Sequence, residues 1–253
     1  MSSIRRGDFT EQAEAYGRAR PSYPAAVVDA LLDDAEVRAG DAVLELGAGT
    51  GLFTRALSER GLRVTASEPN AAMRAQAPEL EHAAFVDGSF EAPGVADGSQ
   101  AWAVAAQAFH WATPERALPA IRRTLDEGRS TRAFSVLWNI RDVERSEVLT
   151  WTLARIERIA AGFDEGYKFV DWADVLTSTG DFEAPRTRIV KHAVRMSAER
   201  FLDLWRSHNH LNATAAPADV ARLLEDIAAY LREREIDELD VPYSCKSVTV
   251  TAS

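Results

Sequence analysis

Apolar residues in the first half of the chain follow two patterns that alternate along the sequence. Short continuous apolar runs are typical of strands buried on both faces of a parallel sheet. Recurrence at every third or fourth position instead indicates helices with one apolar face. This alternation predicts a doubly wound α/β sheet. The predicted strands are Val43–Leu46, Leu62–Ser67, Ala83–Val86, Ala101–Ala106 and Thr131–Trp138, and the predicted helices are Ala25–Leu32, Leu52–Leu57, Ala71–Gln76 and Pro114–Leu125.

The second half of the chain has a different pattern, in which helical periodicity dominates from Glu144 onward. Two further strands are predicted within residues 187–196 and 241–251, and we expect them to close the sheet. The helices predicted here are 147–161, 170–177, 197–208 and 218–232.

A glycine-rich loop joins the first predicted strand to the helix that follows it. Gly47, Gly49 and Gly51 occupy alternate positions, and only glycine turns so tightly while a ligand approaches the backbone. A strand, a glycine loop and a helix N-terminus together predict a site for a nucleotide-like cofactor. A dinucleotide fingerprint would need a third glycine at position 52, where Leu52 stands, so the spacing is G-x-G-x-G and not G-x-G-x-x-G.

The second predicted strand ends in an acidic residue. Glu68 lies about 20 residues after the first glycine, where a carboxylate of such a βαβ unit meets a ribose. A solvated residue at the end of a strand is the alternative. Because the glycine loop stands at the matching distance, we interpret Glu68 as a ribose ligand.

Three motifs resemble one group of enzymes. The glycine loop preceded by Glu45 resembles motif I of the class I S-adenosylmethionine-dependent methyltransferases. The pattern F-x-x-x-A-x-x-Y-x-x-x-R-P-x-Y-P, which starts at Phe9, resembles the N-terminal lid of the trans-aconitate methyltransferase-like (type 11) family, and A-Q-A-F-H-W, which ends at Trp111, resembles its fourth strand end. The resemblance is strong over residues 9–111 and loose afterwards.

The resemblance implies a fold, a cofactor and a division of the chain. The implied fold is a Rossmann-like doubly wound seven-stranded sheet, mostly parallel with an antiparallel last strand, and the implied cofactor is S-adenosyl-L-methionine. We predict a single domain over residues 1–253. Its predicted parts are a lid at 1–24, a cofactor-binding core at 25–139, a helical cap at 140–186 and 197–235, and closing strands at 187–196 and 241–251.

The resemblance also implies roles for particular residues. His110 is the predicted catalytic residue, as a general base or as a hydrogen-bond donor, and the alternative is that it only packs at the corner after its strand. Asp87 is displaced from the position of the family's adenine-binding aspartate, so we expect the backbone near Ser89 and Phe90 to contact the adenine. The cofactor-binding residues implied are Glu45, Gly47, Ala48, Gly49, Gly51, Glu68, Pro69, Ser89, Phe90, Gln107, Tyr16 and Arg20, and the substrate-binding residues are Tyr23, Trp111 and His208. For Tyr16 and Arg20 the alternative is a helix packed on the edge of the domain.

Composition restricts the partners. A net charge of -10 argues against a nucleic-acid-binding surface, which carries a basic field. No apolar run is long enough to span a bilayer and no leader opens the chain, so we expect a cytoplasmic protein without a membrane partner.

The single cysteine, Cys245, excludes an intramolecular disulfide and is interpreted as a buried small residue. His208 and His210 stand two positions apart, on different faces of a helix, so we predict no metal site.

The predicted partner is a small-molecule substrate, and the protein is expected to act as a monomer or homodimer. The chain lacks the N/D-P-P-Y/F motif of enzymes that methylate a base or amide nitrogen. The resemblance implies carboxylate, phenol, hydroxyl, carbon or thiol acceptors, and among these we expect an oxygen of a carboxylate or of a hydroxylated metabolite. A carbon acceptor is one alternative, and a non-catalytic methyltransferase-like binding protein is the other.

Overall fold

The structure is a computed structural model that describes residues 21–160, 163 and 166–253. The lid predicted at residues 1–24 therefore lies almost wholly outside the described residues, and with it Tyr16 and Arg20.

A seven-stranded sheet has the strand order β3-β2-β1-β4-β5-β7-β6. Strands β1 to β5 pair in parallel, as buried apolar runs joined by helices require. The strands are β1 Ala42–Leu46, β2 Arg63–Ser67, β3 Ala83–Val86, β4 Trp102–Ala106, β5 Ala133–Arg141, β6 Phe182–Ser197 and β7 Glu238–Ala252.

Strand β7 runs antiparallel to β5. The amide of Ala252 donates to Arg132 O at 2.8 Å, and the amide of Asp142 donates to Pro242 O at 3.0 Å. Residue numbers therefore rise along β5 where they fall along β7, which defines an antiparallel pair. The predicted fold class, a mostly parallel Rossmann-like sheet with an antiparallel last strand, is confirmed.

The helices that flank the strands begin where the sequence pattern places them in the first half of the chain. They are α1 Ala25–Ala35, α2 Leu52–Ser58, α3 Ala71–Ala75, α4 Pro114–Thr124, α5 Glu147–Ile159, α6 Trp172–Thr177, α7 Ala198–Arg206, α8 Asn209–Thr214 and α9 Pro217–Glu233. Short 3-10 turns cover Phe109–Trp111, Val143–Arg145 and Gly166–Phe169.

The chain divides into two compact units, and the prediction of a single domain stays a prediction. One, the core unit, comprises Ser22–Asn139, Phe169–Val190 and Cys245–Ser253. The other, the helical unit, includes the described residues of Ile140–Lys168 and Lys191–Ser244.

The core unit buries an apolar cluster between helices and one face of the sheet. Val28 of α1 and Phe53 of α2 pack there with Val43, Trp102 and Val104 of the central strands. Side chains alternate along a strand, so β1 presents Val43 and Glu45 to this same face. The carboxyl group of Glu45 is thereby carried into the interior beside α2.

The helical unit has a cluster of its own, formed by α5, α7 and α9. Phe201 and Trp205 of α7 are fully buried there, together with Ile156 and Ile227. The helix predicted over 197–208 ends instead at Arg206, and a separate helix, α8, follows. The predicted helix is therefore present but ends two residues earlier than predicted, and α8 lies beyond the predicted range.

Candidate functional site

The glycine loop is fixed by the end of the neighbouring strand. The amides of Gly47 and Ala48 both donate to Ser67 O, at 2.8 and 3.2 Å. Gly47, Gly49 and Gly51 have φ of 70°, 60° and 83°, in the left-handed region that glycine enters at little cost. The loop therefore has a defined backbone shape that is set by β2.

The three glycines are needed for different reasons. A Cβ at Gly47 would lie 2.5 Å from Ala108 Cβ, and one at Gly51 would lie 2.7 Å from Phe85 Cζ, so protein packing excludes a side chain at both. A Cβ at Gly49 would meet only the end of Met73, at 3.4 Å. Gly49 is therefore the position where the loop keeps space on its own account, as a ligand requires.

Glu68 binds the glycine loop directly. Its Oε2 accepts a hydrogen bond from the Gly49 amide at 2.9 Å, and its Oε1 accepts one from the Asn70 amide at 2.9 Å. Its side chain is held in place and the residue is 8% exposed. A carboxylate can accept about four hydrogen bonds, so each oxygen retains capacity for a ligand hydroxyl.

Helix α3 fixes the backbone beyond Glu68. The Asn70 side chain accepts from the amides of Ala72 and Met73, which caps the helix. Pro69, between the two, is exposed. The chain thus turns sharply at the end of β2, and Glu68 points back to the loop.

Glu45 lies beneath the loop as a buried acid. It is 1% exposed, and Thr54 Oγ1 donates to its Oε2 at 2.6 Å. Burial raises the pKa of Glu45 to about 8, the Thr54 hydrogen bond lowers it, and the nearby charge of Glu68 raises it. At neutral pH Glu45 is therefore largely protonated. Thr54 is a site contact that sequence reasoning missed, because nothing in the motif marks its position.

The loop after β3 is held internally. The Ser89 amide donates to Ala92 O at 2.9 Å, and Ser89 Oγ donates to Glu91 Oε2 at 3.2 Å. The amide that was predicted near the adenine is thus engaged within its own loop at Ser89. The Phe90 ring is buried against Phe109, with ring centroids 5.5 Å apart. The adenine contact by the backbone near Ser89 and Phe90 stays a prediction.

Gln107, at the end of β4, is anchored to β5. Its amide donates to Leu137 O at 2.8 Å, and its Nε2 donates to Asn139 O at 3.2 Å. Its φ of 59° is unusual for a residue with a side chain, and such conformations persist only where surrounding contacts enforce them.

The corner after β4 comprises residues 107–111 and ends in a single 3-10 turn, Phe109–Trp111. Phe109 is buried, Trp111 is 44% exposed, and His110 lies between these extremes. Trp138 Nε1 donates to His110 Nδ1 at 3.3 Å, and the His110 ring centroid lies 4.6 Å from that of Trp111. His110 therefore has a defined orientation, fixed by a residue of β5.

Two predicted substrate-binding residues are engaged in packing. Tyr23 meets the edge of Phe53, with ring centroids 4.9 Å apart, beside the apolar cluster of the core unit. His208 belongs to the helical unit, where its Nδ1 accepts from the Leu211 amide at 3.5 Å and its ring stacks on Trp205. Both substrate roles stay predictions.

His208 and His210 do not lie on one helix as predicted. His208 precedes α8 as its cap, and both imidazole rings approach Phe163, with centroid distances of 5.3 Å each. In the part of the chain that the structure describes, no three His, Cys, Asp or Glu side chains are grouped to hold a metal ion.

Two further observations concern Cys245 and the helices. Burial raises the pKa of the Cys245 thiol to about 12, so this cysteine is a packing residue and not a thiolate nucleophile. Over residues 21–160, 163 and 166–253, no helix is both long enough and apolar enough to cross a bilayer.

Comparison with known proteins places the glycine loop and the corner in a family. Residues 44–130 match the family described as a methyltransferase domain. An uncharacterized methyltransferase of Mycobacterium tuberculosis is 41% identical over 138 residues, which cover 53% of this chain and 53% of the relative. The chain thus spans about half the length of this relative. An uncharacterized methyltransferase of Schizosaccharomyces pombe is 27% identical over 255 residues, covering 93% of this chain and 95% of the relative.

Solved structures show the same fold. A proposed type II methyltransferase from Anaeromyxobacter dehalogenans superimposes with a TM-score of 0.70 at 23% identity, covering 91% of this chain and 97% of that one. A proposed methyltransferase from an antibiotic biosynthesis pathway of Anabaena variabilis gives 0.64 at 18% identity, covering 91% and 98%. The resemblance drawn from the sequence motifs is confirmed.

Proposed function

We propose that this chain, which belongs to the class I S-adenosylmethionine-dependent methyltransferases of the type 11 family, methylates an oxygen of a small carboxylate or hydroxylated metabolite. The observation that carries the cofactor assignment is the hydrogen bond between Glu68 and the Gly49 amide. It brings an oriented carboxylate to the one glycine of the loop that keeps space for a ligand.

The residues present fit S-adenosylmethionine. The glycine loop offers a close backbone approach at Gly49, and Glu68 offers acceptor capacity for two ribose hydroxyls. The backbone near Ser89 and Phe90 supplies the adenine contact in this proposal, and Gln107 lies at the end of β4. Glu45 supports the loop from beneath, where its carboxyl group is buried.

When bound, S-adenosylmethionine supplies a methyl group that its sulfonium makes electrophilic. The residues of the chain then need only hold the acceptor oxygen in line with that methyl group and exclude water. Orientation of this kind can lower a barrier by about 7–11 kcal/mol. His110, fixed by Trp138 at the end of β4, is the residue that we assign to the acceptor.

The acceptor is proposed to be a small molecule for two reasons: the chain is acidic, and the residues of the site lie at the carboxyl ends of strands. A net charge of -10 disfavours a nucleic-acid substrate. Open α/β sheets bind small ligands at the carboxyl ends of their strands, which is where Glu68, Gln107 and His110 lie.

Cofactor binding is tested by thermal shift with S-adenosylmethionine and with NAD, followed by calorimetry on Glu68→Ala. Removing charge-assisted hydrogen bonds costs roughly 1.5–3 kcal/mol, or about 10- to 150-fold in affinity. Asp87→Ala is the matched control, since Asp87 is an exposed carboxylate just after β3. Unchanged affinity in Glu68→Ala, or stabilisation by NAD alone, would contradict the assignment.

Turnover is tested by incubating the protein with methyl-labelled donor and a metabolite extract. Label in a small oxygen ester or ether supports the proposal, and label on carbon favours the alternative acceptor. Cofactor binding without label transfer would indicate a non-catalytic binding protein.

A further inference from the structure

The hydrogen bond from Trp138 to His110 bears on where the imidazole carries its proton. An indole N–H only donates, so the atom that receives it must present a lone pair. The receiving atom is His110 Nδ1, 3.3 Å from Trp138 Nε1. A proton on Nδ1 would place two donors against each other. A neutral imidazole with an unprotonated Nδ1 carries its proton on Nε2.

Trp138 is held so that this donor stays in place. It is 1% exposed and lies in β5, and its indole stacks on that of Trp172 with centroids 4.4 Å apart and planes inclined by 21°. Trp172 also meets the edge of Phe109, the neighbour of His110, at 6.0 Å. The rings of the corner and of β5 thus form one packed group around the hydrogen bond.

We propose that Trp138 is a positioning residue that fixes His110 as the Nε2–H tautomer, so that His110 donates a hydrogen bond to the acceptor instead of removing its proton. This selects an ionised carboxylate, the first of the two acceptor classes in the proposed function, on which the inference rests. A donor group orients a carboxylate, whereas a hydroxyl acceptor needs a base.

The chemistry of the two acceptors differs by one proton. An ionised carboxylate uses an oxygen lone pair to form the O–CH3 bond, and the electron pair of the broken C–S bond stays on sulfur. The negative charge of the carboxylate and the positive charge of the sulfonium are both neutralised. No proton is released. A hydroxyl group forms the same bond but must give up its proton to a base. The Nε2–H tautomer offers no unprotonated nitrogen other than the Nδ1 that Trp138 engages.

The tautomer is measured by long-range ¹H–¹⁵N NMR of protein labelled at histidine, with His110→Asn used to assign the His110 signals. We expect the Nε2–H pattern in the wild type. Trp138→Phe keeps an aromatic ring but removes the indole N–H, and should give a mixture of tautomers. Trp172→Phe is the matched control, because it changes the same stack and leaves the indole N–H of Trp138. A wild-type Nδ1–H pattern, or no change in Trp138→Phe, would overturn the proposal.

The role in turnover is measured by comparing His110→Asn with His110→Ala. A hydrogen-bonding role predicts that His110→Ala loses about 10- to 150-fold in kcat and that His110→Asn recovers most of this loss. The affinity for S-adenosylmethionine should be unchanged in both variants. Equal losses of about 10²–10⁴ in both variants would identify a general base and overturn the proposal. NMR reads the tautomer without turnover, so a protein that transfers no methyl group would refute the proposed function while the spectra still decide the role of Trp138.

Discussion

The glycine loop and the corner after β4 reach the same edge of the sheet by different means. The loop is held within one βαβ unit, since the amides of Gly47 and Ala48 bond to Ser67 O and the Gly49 amide bonds to the Glu68 carboxylate. The corner is held by β5, a strand from a later part of the chain, through the bonds of the Gln107 amide to Leu137 O, of the Gln107 side chain to Asn139 O and of Trp138 to His110. A site can therefore combine a part that its local sequence specifies with a part that depends on distant residues.

The two regions also depend on each other. The Cα hydrogens of Gly47 face Ala108, since a Cβ there would lie 2.5 Å from Ala108 Cβ. β1 and β4 are adjacent parallel strands, which brings their two ends together. The glycine at position 47 is therefore required by the packing of the corner as well as by the shape of the loop.

The largest expected effect comes from the buried acid beneath the loop. The unfolded chain releases the Glu45 proton near the ordinary pKa of 4.5, whereas the folded protein keeps it until about pH 8. Between these values the folded state binds more protons, so wild-type stability should fall as the pH rises, by about 1.4 kcal/mol per pH unit.

Glu45→Gln removes this titration and keeps an acceptor for Thr54. Urea unfolding of both proteins from pH 5 to 8 should show the variant gaining on the wild type as the pH rises. If the difference in free energy of unfolding between the two proteins did not depend on pH, the prediction of a buried, protonated Glu45 would be wrong. The residue beneath the loop would then be an ionised carboxylate.

The second prediction concerns the alternation of burial within the corner. Phe109→Ala should lower the free energy of unfolding by about 3–5 kcal/mol, because the ring is almost fully buried against Phe90 and Phe134. Trp111→Ala should cost about 1 kcal/mol or less, since its ring is 44% exposed. Chemical denaturation measures both, and equal costs would show that Trp111 is covered in solution.

The third prediction separates the glycines of the loop. Gly47→Ala should lower the free energy of unfolding by about 1–2 kcal/mol for its left-handed backbone and by about 1–3 kcal/mol more for the contact with Ala108. Gly49→Ala should lower the free energy of unfolding only by the backbone contribution. Relative to that loss, it should weaken cofactor binding more than Gly47→Ala does. Unfolding curves and calorimetry on the two variants test this. The distinction fails if both lose stability equally and both bind alike.

The smallest effect is expected at Gln107, the residue with a left-handed backbone in the corner. Gln107→Ala removes the bond to Asn139 and keeps the strain, so we expect a loss of about 0.5–1.5 kcal/mol. Gln107→Gly loses the same bond but relieves about 1–2 kcal/mol of strain. The glycine variant should therefore be the more stable one in thermal unfolding, which reverses the usual order. The opposite order would mean that the contacts of the corner do not hold Gln107 at a positive φ.

The fold and the loop were predictable because their signals are local. The apolar run of β1, the glycines at alternate positions and Glu68 at the end of β2 lie within one βαβ unit, and their spacing has a direct geometric meaning. The second half was less predictable. The helix predicted over 197–208 ends at Arg206, and the short helix α8, which His208 caps, was not predicted. Six residues are too few for helical periodicity to be recognised in a sequence.

The sequence by itself determined the parallel sheet, the position of the glycine loop and the acidic residue that faces it. The tertiary structure alone decided that Glu45 is buried and hydrogen-bonded to Thr54, that Gly47 must leave room for Ala108, and that His110 accepts a hydrogen bond from Trp138. The reason is physical. Periodicity and turn chemistry act between neighbours along the chain, whereas burial, charge and tautomer depend on groups that adjacent strands bring together from positions far apart in sequence.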